Sequence, residues 1–368
     1  MMKKVYDVII VGAGAAGLMC AANLQVNKGL IIDQSDKPGK KLLLSGGGRC
    51  NITHGGSIKN FVSCYGDNGR IIRTCLYKHN NDTLVNFLES AGIRVLEDEE
   101  GRIHPESEKA QDVLNLLLAK AKNNGWEIHT DYIISSLLEL QGLSDNIVIA
   151  CGGITYPNTG SDGSLYNLLR DELGLNLIQP RSALAPISVK EYPYGELSGI
   201  TMHDVEVTIG TGKKAHRLAG DVLLAHNNLT GPAILNISRY AVPGETLRIN
   251  WIPGSSAPLD DADNLPKRFR QLITNRAMTD KGSISTNKLA SLLTSDTFEI
   301  EGCSDNGMVT AGGISLDCVD LKTMSIKNQP GFYAIGEVLD IDGNTGGYNL
   351  QFCWSSACTA AEAIASRI

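Results

Sequence analysis

The sequence predicts an α/β fold built on a parallel sheet, and three observations predict it. First, a short β-branched run from Val5 to Val11 ends at a glycine and opens into an Ala- and Leu-rich stretch reaching about Asn27; Leu30-Ile31-Ile32-Asp33 follows as a second apolar run. Second, Ile147-Val148-Ile149-Ala150 repeats the pattern and ends at Cys151-Gly152-Gly153. Third, Gly331-Phe332-Tyr333-Ala334-Ile335-Gly336 repeats it again and leads to a closing helix from about Leu350 to Ser366. Short continuous apolar runs mark strands buried on both faces, and a strand–helix–strand unit joins parallel neighbours by a right-handed crossover.

Between these runs the texture varies. Residues 36–56 are dominated by Gly, Lys, Ser and Asn and read as a polar loop system. Residues 80–92 and 108–124 read as amphipathic helices, and 126–145 as a strand followed by a short helix. From Pro186 the pattern changes: 186–190 and 203–209 alternate as antiparallel strands do, Gly210-Thr211-Gly212 is a turn, and 215–225 and 246–252 form a further strand pair. Residues 261–294 are helical and polar, and short strands resume from Thr297. The expected organisation is one α/β domain in two pieces, 1–186 and 304–368, interrupted by a β-rich insert at 187–258 and a small helical domain at 259–303.

Composition narrows the function. The chain has 368 residues, 42% hydrophobic and 20% charged, with a formal net charge of −7. Its basic clusters are no longer than pairs such as Lys40-Lys41 and Lys213-Lys214, so the expectation is no nucleic-acid partner. No stretch approaches the roughly 18 apolar residues of a membrane span, and the first apolar run is too short for a secretory signal. The nine cysteines form no CxxC pair, which suits a reducing cytoplasm and gives no metal site. A monomer or homodimer acting on a small molecule is expected.

Three motifs carry chemistry. In Gly12-Ala13-Gly14-Ala15-Ala16-Gly17, Gly12 permits a tight turn out of the strand, Gly14 lets a pyrophosphate approach the backbone, and Gly17 allows close helix–strand packing. The helix behind it offers free N–H groups and a partial positive charge, and Asp33 stands where a carboxylate bonds ribose hydroxyls. This much predicts a dinucleotide without choosing between NAD and FAD. The second motif, residues 38–53, places three glycines at 46–48 beside Arg49, a loop that passes close to a flat or anionic group and that an NAD domain does not need. The third, Gly336 to Gln351, puts Glu337 just after a strand, suited to ribitol hydroxyls, and opens the last helix with Gly346-Gly347, whose N-terminus would stabilise negative charge on a reduced flavin. FAD is therefore the expected cofactor. There is no second GxGxxG after a strand, so NAD(P)H is expected only as a transient co-substrate, with oxygen as the other redox partner compatible with the sequence.

The stretches VGAGAAGLMCAA (11–22), GKKLLLSGGGRCNIT (39–53), ACGGITYPNTGSDG (150–163), LLAHNNLTGPAILNISR (223–239), MVTAGGISLDCVDLKTM (308–324) and GFYAIGEVLDIDGNTGGYNLQ (331–351) resemble a bacterial family of FAD-dependent oxidoreductases usually named aminoacetone-oxidase-like, which includes bile-acid dehydro-reductases. The resemblance implies an FAD-binding Rossmann-like domain of glutathione-reductase type with an inserted β-barrel-like domain and a small helical domain. It places Gly12, Gly14, Ala15, Ala16 and Gly17 on the pyrophosphate and Asp33, with Gln34, on the adenosine ribose. Lys41, Ser45, Gly47, Gly48, Arg49, Cys50 and Asn51 would lie along the FAD toward the flavin, and Ala150, Cys151 and Gly152 would flank the adenosine. Gly336 and Glu337 would meet the ribitol, and Gly347, Tyr348, Asn349 and Leu350 the flavin edge. The chain departs from the family in carrying Asp33 about two residues early where Glu is usual, in a shortened 125–150 segment that normally covers the adenine, and in a trimmed helical part.

No residue declares itself as acid or base. His226, expected at the start of a helix with proline in its first turn, and Tyr348, near the flavin, are the candidates, each with a packing role as the alternative. Cys50 sits among Lys40, Lys41 and Arg49, cations able to lower its pKa, but it has no partner cysteine nearby in sequence and redox catalysis is not expected of it; His104 precedes Pro105 in an expected turn. The expected function is an FAD-dependent oxidoreductase exchanging hydride between flavin and a small organic substrate; the alternatives are a non-catalytic flavin-binding regulator and an RNA-modification flavoprotein.

Overall fold

The computed structural model describes residues 4–280 and 282–368. It divides into two compact units, one holding the chain up to Arg181 together with Val309–Ile368, the other Ser182–Met308.

The first unit is built on a seven-stranded sheet. Its strands are β1 (Val8–Val11), β2 (Gly29–Ile32), β3 (Trp126–His129), β4 (Ile147–Ile149), β5 (Val319–Asp320), β6 (Ser325–Ile326) and β7 (Phe332–Ala334), in the spatial order β5-β6-β7-β4-β1-β2-β3. The pairs β7–β4, β4–β1, β1–β2 and β2–β3 are parallel; β5 and β6 add an antiparallel edge. Val8, Ile9, Ile10 and Val11 are wholly buried, as the unbroken apolar run requires of a central strand covered on both faces. One cover is the helix Ala15–Asn23, which packs on the C-terminal helix Tyr348–Ala365. At the far edge Gly29 stands against the indole of Trp126, whose Nε1 donates to the Leu24 carbonyl at 2.8 Å.

The helices expected at 80–92 and 108–124 are Asn81–Ser90 and Ala110–Asn123. The 126–145 segment is β3 followed by the turn Glu139–Gly142. The polar stretch 36–56 is more ordered than its composition suggests. It holds a short helix, Lys40–Leu44, because Leu42 finds a buried position and Gly39 packs on Leu114. It ends in the strand Thr53–His54, paired with Arg102–Pro105, so His104 lies in a buried strand and not in a turn.

The second unit is a closed six-stranded barrel. Thr201–Ile209, His216–Leu224, Leu229–Thr230, Ile187–Val189, Asp296–Cys303 and Thr246–Asn250 follow one another around it. Closure removes the exposed edges that so short a set of strands would otherwise present. The segment 259–303, expected as a helical domain of its own, contributes the helices Lys267–Arg276 and Thr286–Thr294 to this unit, and its last eight residues are a barrel strand. Strict alternation of buried and exposed residues from Asp296 to Glu301 is the signal for that strand.

The strand's first residue is a charge. The Asp296 side chain is 1% exposed, accepts from Arg276 Nη1 and Nη2 at 2.9 Å each, and also takes the Tyr194 hydroxyl and Trp251 Nε1. Removing one partner of such a pair leaves a buried charge uncompensated. Arg276→Met should therefore destabilise the barrel unit by about 3–5 kcal/mol in denaturant titration, and the double change Arg276→Met with Asp296→Leu should recover most of the loss.

Candidate functional site

The site begins where β1 ends. Gly12 has a φ of +109°, and a Cβ there would stand 2.3 Å from the Ala150 carbonyl oxygen; a Cβ on Gly17 would stand 1.9 Å from the Gly12 carbonyl oxygen. These two glycines are demanded by backbone packing. Gly14 differs: its φ is −83° and a Cβ would meet nothing within 4 Å. It faces open space directly before the helix Ala15–Asn23, which carries no side-chain cap. Unclaimed N–H groups, the positive end of a helix and room at Gly14 together form a cradle able to hold an anionic group such as a pyrophosphate.

Asp33, partly buried at the end of β2, accepts from the Ala13 N–H at 2.6 Å through one oxygen and from the Ser35 N–H at 2.7 Å through the other. It thus fixes the glycine loop while keeping lone pairs for a ribose. Gln34 points across to the Gly160 carbonyl at 2.7 Å and Asp162 Oδ1 at 3.0 Å. Around these residues lies a cleft lined by Gly12, Asp33, Cys151, Gly152, the run Tyr132-Ile133-Ile134 and Ser164 to Tyr166. Tyr132 is 45% exposed and Ile133 81%, an open apolar wall of the kind a purine ring covers. The shortened 125–150 segment therefore still supplies a wall. The buried Tyr166 hydroxyl has no partner among the described residues and so offers a hydrogen bond to a guest. Tyr132 and Ile133 carry no periodic signal because they lie in an irregular loop, and Tyr166, which opens the helix Tyr166–Asp171, reads from sequence as an ordinary buried helix residue.

Next to the cleft, Lys41 Nζ lies 2.7 and 2.8 Å from the two Glu337 oxygens and donates to Thr155 Oγ1 at 2.8 Å. Glu337 Oε1 also accepts from the Thr310 N–H at 2.8 Å. This network joins the loop after β2, the loop after β4, the strand Val309–Ile314 and the turn after β7. Gly336, at the head of that turn, donates its N–H to Ser356 Oγ at 3.0 Å. The loop ahead of His54 keeps Gly46, Gly47 and Gly48 at positive φ, and Gly47 meets nothing within 4 Å. Ser45 Oγ donates to the Leu42 carbonyl, and Gly46 backs onto Asn51. Arg49 does not turn inward: its side chain is 59% exposed and faces Glu108 at 3.6 Å. Cys50 is not activated by the cations beside it in sequence. It is wholly buried, and burial pushes its pKa up to about 11. Cys151 is raised likewise, to about 12.

The C-terminal helix starts at Tyr348 behind Gly347, again without a side-chain cap. Asn349 does not point outward: it accepts from the Gly343 N–H at 2.7 Å and donates to the Gly343 carbonyl at 2.9 Å, closing the loop ahead of the helix, while Leu350 is half-buried. Tyr348 stacks on His54 at 4.9 Å with Phe61 and Tyr65 edge-on, and burial holds its hydroxyl well above the usual tyrosine pKa. His226 belongs to the barrel unit. It is exposed in the turn between His216–Leu224 and Leu229–Thr230, one turn before the helix Pro232–Ile237 rather than in it.

Two uncapped helix N-termini, an open glycine loop, a ribose-ready carboxylate and an orphaned buried hydroxyl fit FAD and define a flavoprotein of the Rossmann FAD-binding type. The chain belongs to the family described as "HI0933-like protein Rossmann domain", which matches residues 6–363. It is 29% identical to the ribosomal RNA dihydrouridine synthase of Escherichia coli (strain K12), over 97% of each chain. It is 28% identical to the 3-dehydro-bile acid delta(4,6)-reductase of Clostridium scindens, over 97% of this chain and 98% of that one. The solved structure of 3-ketosteroid delta1-dehydrogenase from Sterolibacterium denitrificans, in complex with 1,4-androstadiene-3,17-dione, covers both chains fully with a TM-score of 0.52 at 12% identity, and so shares the fold.

The contrast between two glycines tests the cradle. Gly14→Val should leave the melting temperature of the FAD-free protein within about 3 °C of the parent but weaken FAD binding at least roughly ten-fold in a fluorescence titration. Gly17→Val should abolish folding, because its side chain has no space.

Proposed function

We propose that the protein is an FAD-dependent reductase that saturates a carbon–carbon double bond conjugated to a carbonyl, with NAD(P)H as a transient electron source. One observation carries the bond type. The two relatives are named for unlike molecules, a uridine in RNA and a bile acid, yet forming dihydrouridine and reducing a delta(4,6) system are both saturations of such a bond. Neither name supports amine oxidation. FAD, when bound, supplies the hydride.

The chain's own residues would do the rest. Gly14 and the first helix hold the pyrophosphate, and Asp33 the adenosine ribose. Glu337 is heavily committed to Lys41 and Thr310, so any ribitol contact would fall to its Oε2, which keeps a free lone pair. The N-terminus at Gly347 and Tyr348 places a positive potential where reduction adds negative charge. Saturating a C=C bond needs a proton as well as a hydride. Tyr348 keeps its proton at Oη at neutral pH, because burial disfavours the phenolate, and this suits it to protonate the carbon next to the carbonyl.

The test is anaerobic. FAD-loaded protein should lose its yellow absorbance on adding NADPH or NADH and regain it with a conjugated dienone, but not with the saturated ketone. If oxygen alone restores the colour, the proposal fails. Tyr348→Phe should leave the reduction by nicotinamide unchanged and slow the reoxidation by dienone by about 10²–10⁴-fold.

A further inference from the structure

We infer that the outer face of the segment from Ile58 to Lys78 is a docking surface for the phosphate backbone of RNA, beside the flavin edge. The inference rests on the reading above, with the uracil ring of an RNA as the conjugated double bond.

Three observations lead there. The first is charge. The chain as a whole is acidic, yet this segment holds four basic residues, Lys59, Arg70, Arg73 and Lys78, against one acidic residue, Asp67. The excess is local: the four cations are spread singly over a continuous stretch of an otherwise acidic chain.

The second is that the charges are unspent. Lys78 pairs with Glu362, but the side chains of Lys59, Arg70 and Arg73 are exposed and have no hydrogen bond or ion pair among the described residues. Ile72, Cys75 and Leu76 are buried, and the helix Arg73–Lys78 packs on the C-terminal helix. Its opposite side carries Arg73 and Tyr77 at positions i and i+4, which share one helical face, and Arg70 is exposed in the turn just before the helix. Tyr77 is 42% exposed and its hydroxyl has no partner among the described residues. Unpaired arginines with an exposed aromatic between turns combine backbone charge contacts with a stacking platform for a base.

The third is position. The inner side of the same segment is bonded to the loop that leads into the flavin-edge helix. Asn68 Nδ2 donates to the Asp340 carbonyl at 2.8 Å, the Cys64 carbonyl accepts from the Asn344 N–H at 2.8 Å, and the Tyr65 hydroxyl donates to the Tyr348 carbonyl at 2.7 Å. A strand gripped on the outer face therefore runs along the wall that holds Tyr348.

The experiment uses the FAD-loaded full chain and protein-free bacterial ribosomal RNA, with binding measured by filter retention between 50 and 300 mM KCl. Wild type should bind with an affinity that falls steeply with salt. Replacing Arg70 and Arg73 by Glu should make the slope of log affinity against log salt shallower by about 1.4, which is two phosphate contacts at roughly 0.7 each. Arg70→Lys with Arg73→Lys should keep the parental slope, since a point charge suffices for phosphate. Tyr77→Ala should lower affinity roughly ten-fold at unchanged slope. The melting temperature and the bleaching of the flavin by NAD(P)H should be the same in all variants. Salt-independent or undetectable binding by wild type overturns the inference, as does an arginine-to-glutamate variant that binds like the parent. Either result leaves the flavin assay to decide the reductase reading separately.

Discussion

The first unit depends on a pair of close contacts between backbones at the glycine loop. The chain leaving β1 passes under the carbonyl of Ala150, and the first helix turns over the carbonyl of Gly12, with no room for a single carbon at either point. The pair sets the angle at which the helix departs and aims its free N–H groups away from the sheet. It also brings the Ala13 N–H to Asp33, so the carboxylate at the end of the next strand is aligned by the same loop it serves. Where the packing relaxes, at Gly14, the missing side chain leaves space instead of filling it. One stretch of six residues thus separates two uses of glycine: contact on either side and vacancy in the middle.

A second constraint binds the rest of the site to this loop. Lys41 and Glu337 are almost 300 residues apart in sequence, and their pairing draws in Thr155 and Thr310. The pair is only partly buried, so its Coulomb energy is modest. Its importance is geometric: three connections that emerge from the carboxyl ends of β2, β4 and β7 are held at one point against the strand Val309–Ile314, at the end where open α/β sheets bind their ligands.

Much of this was legible in the sequence. β1, β2, β4 and β7 appear as apolar runs because they are buried on both faces, and the glycine spacing announces the loop. The barrel strand Asp296–Cys303 was half visible as alternation but began with a charge, which reads as a helix end until Arg276 and Tyr194 are seen around it. Arg49 and Cys50 show where sequence adjacency misleads. Neighbours in a chain whose backbone reverses at each glycine need not share surroundings, so one side chain faces solvent and the next is buried among apolar groups. Tyr132, Ile133 and Tyr166 were invisible for a different reason: a cleft lined by a loop and a helix start far apart in sequence has no period.

The order of the sheet has a consequence for how the molecule is made. β7 lies beside β4, near the middle of the sheet, and the C-terminal helix is a partner of the first helix, yet both are translated after the entire barrel. On the ribosome the barrel unit has all its strands before the sheet has its own, and the first helix waits through more than a hundred further residues for the helix that will pack on it. An apolar sheet edge at β4 stays unpaired during that interval, and such edges are where nascent chains associate wrongly. Assembly of the cofactor site therefore follows synthesis of the whole barrel, and a chain truncated between Cys303 and β7 would present a closed barrel attached to an open, aggregation-prone half-sheet.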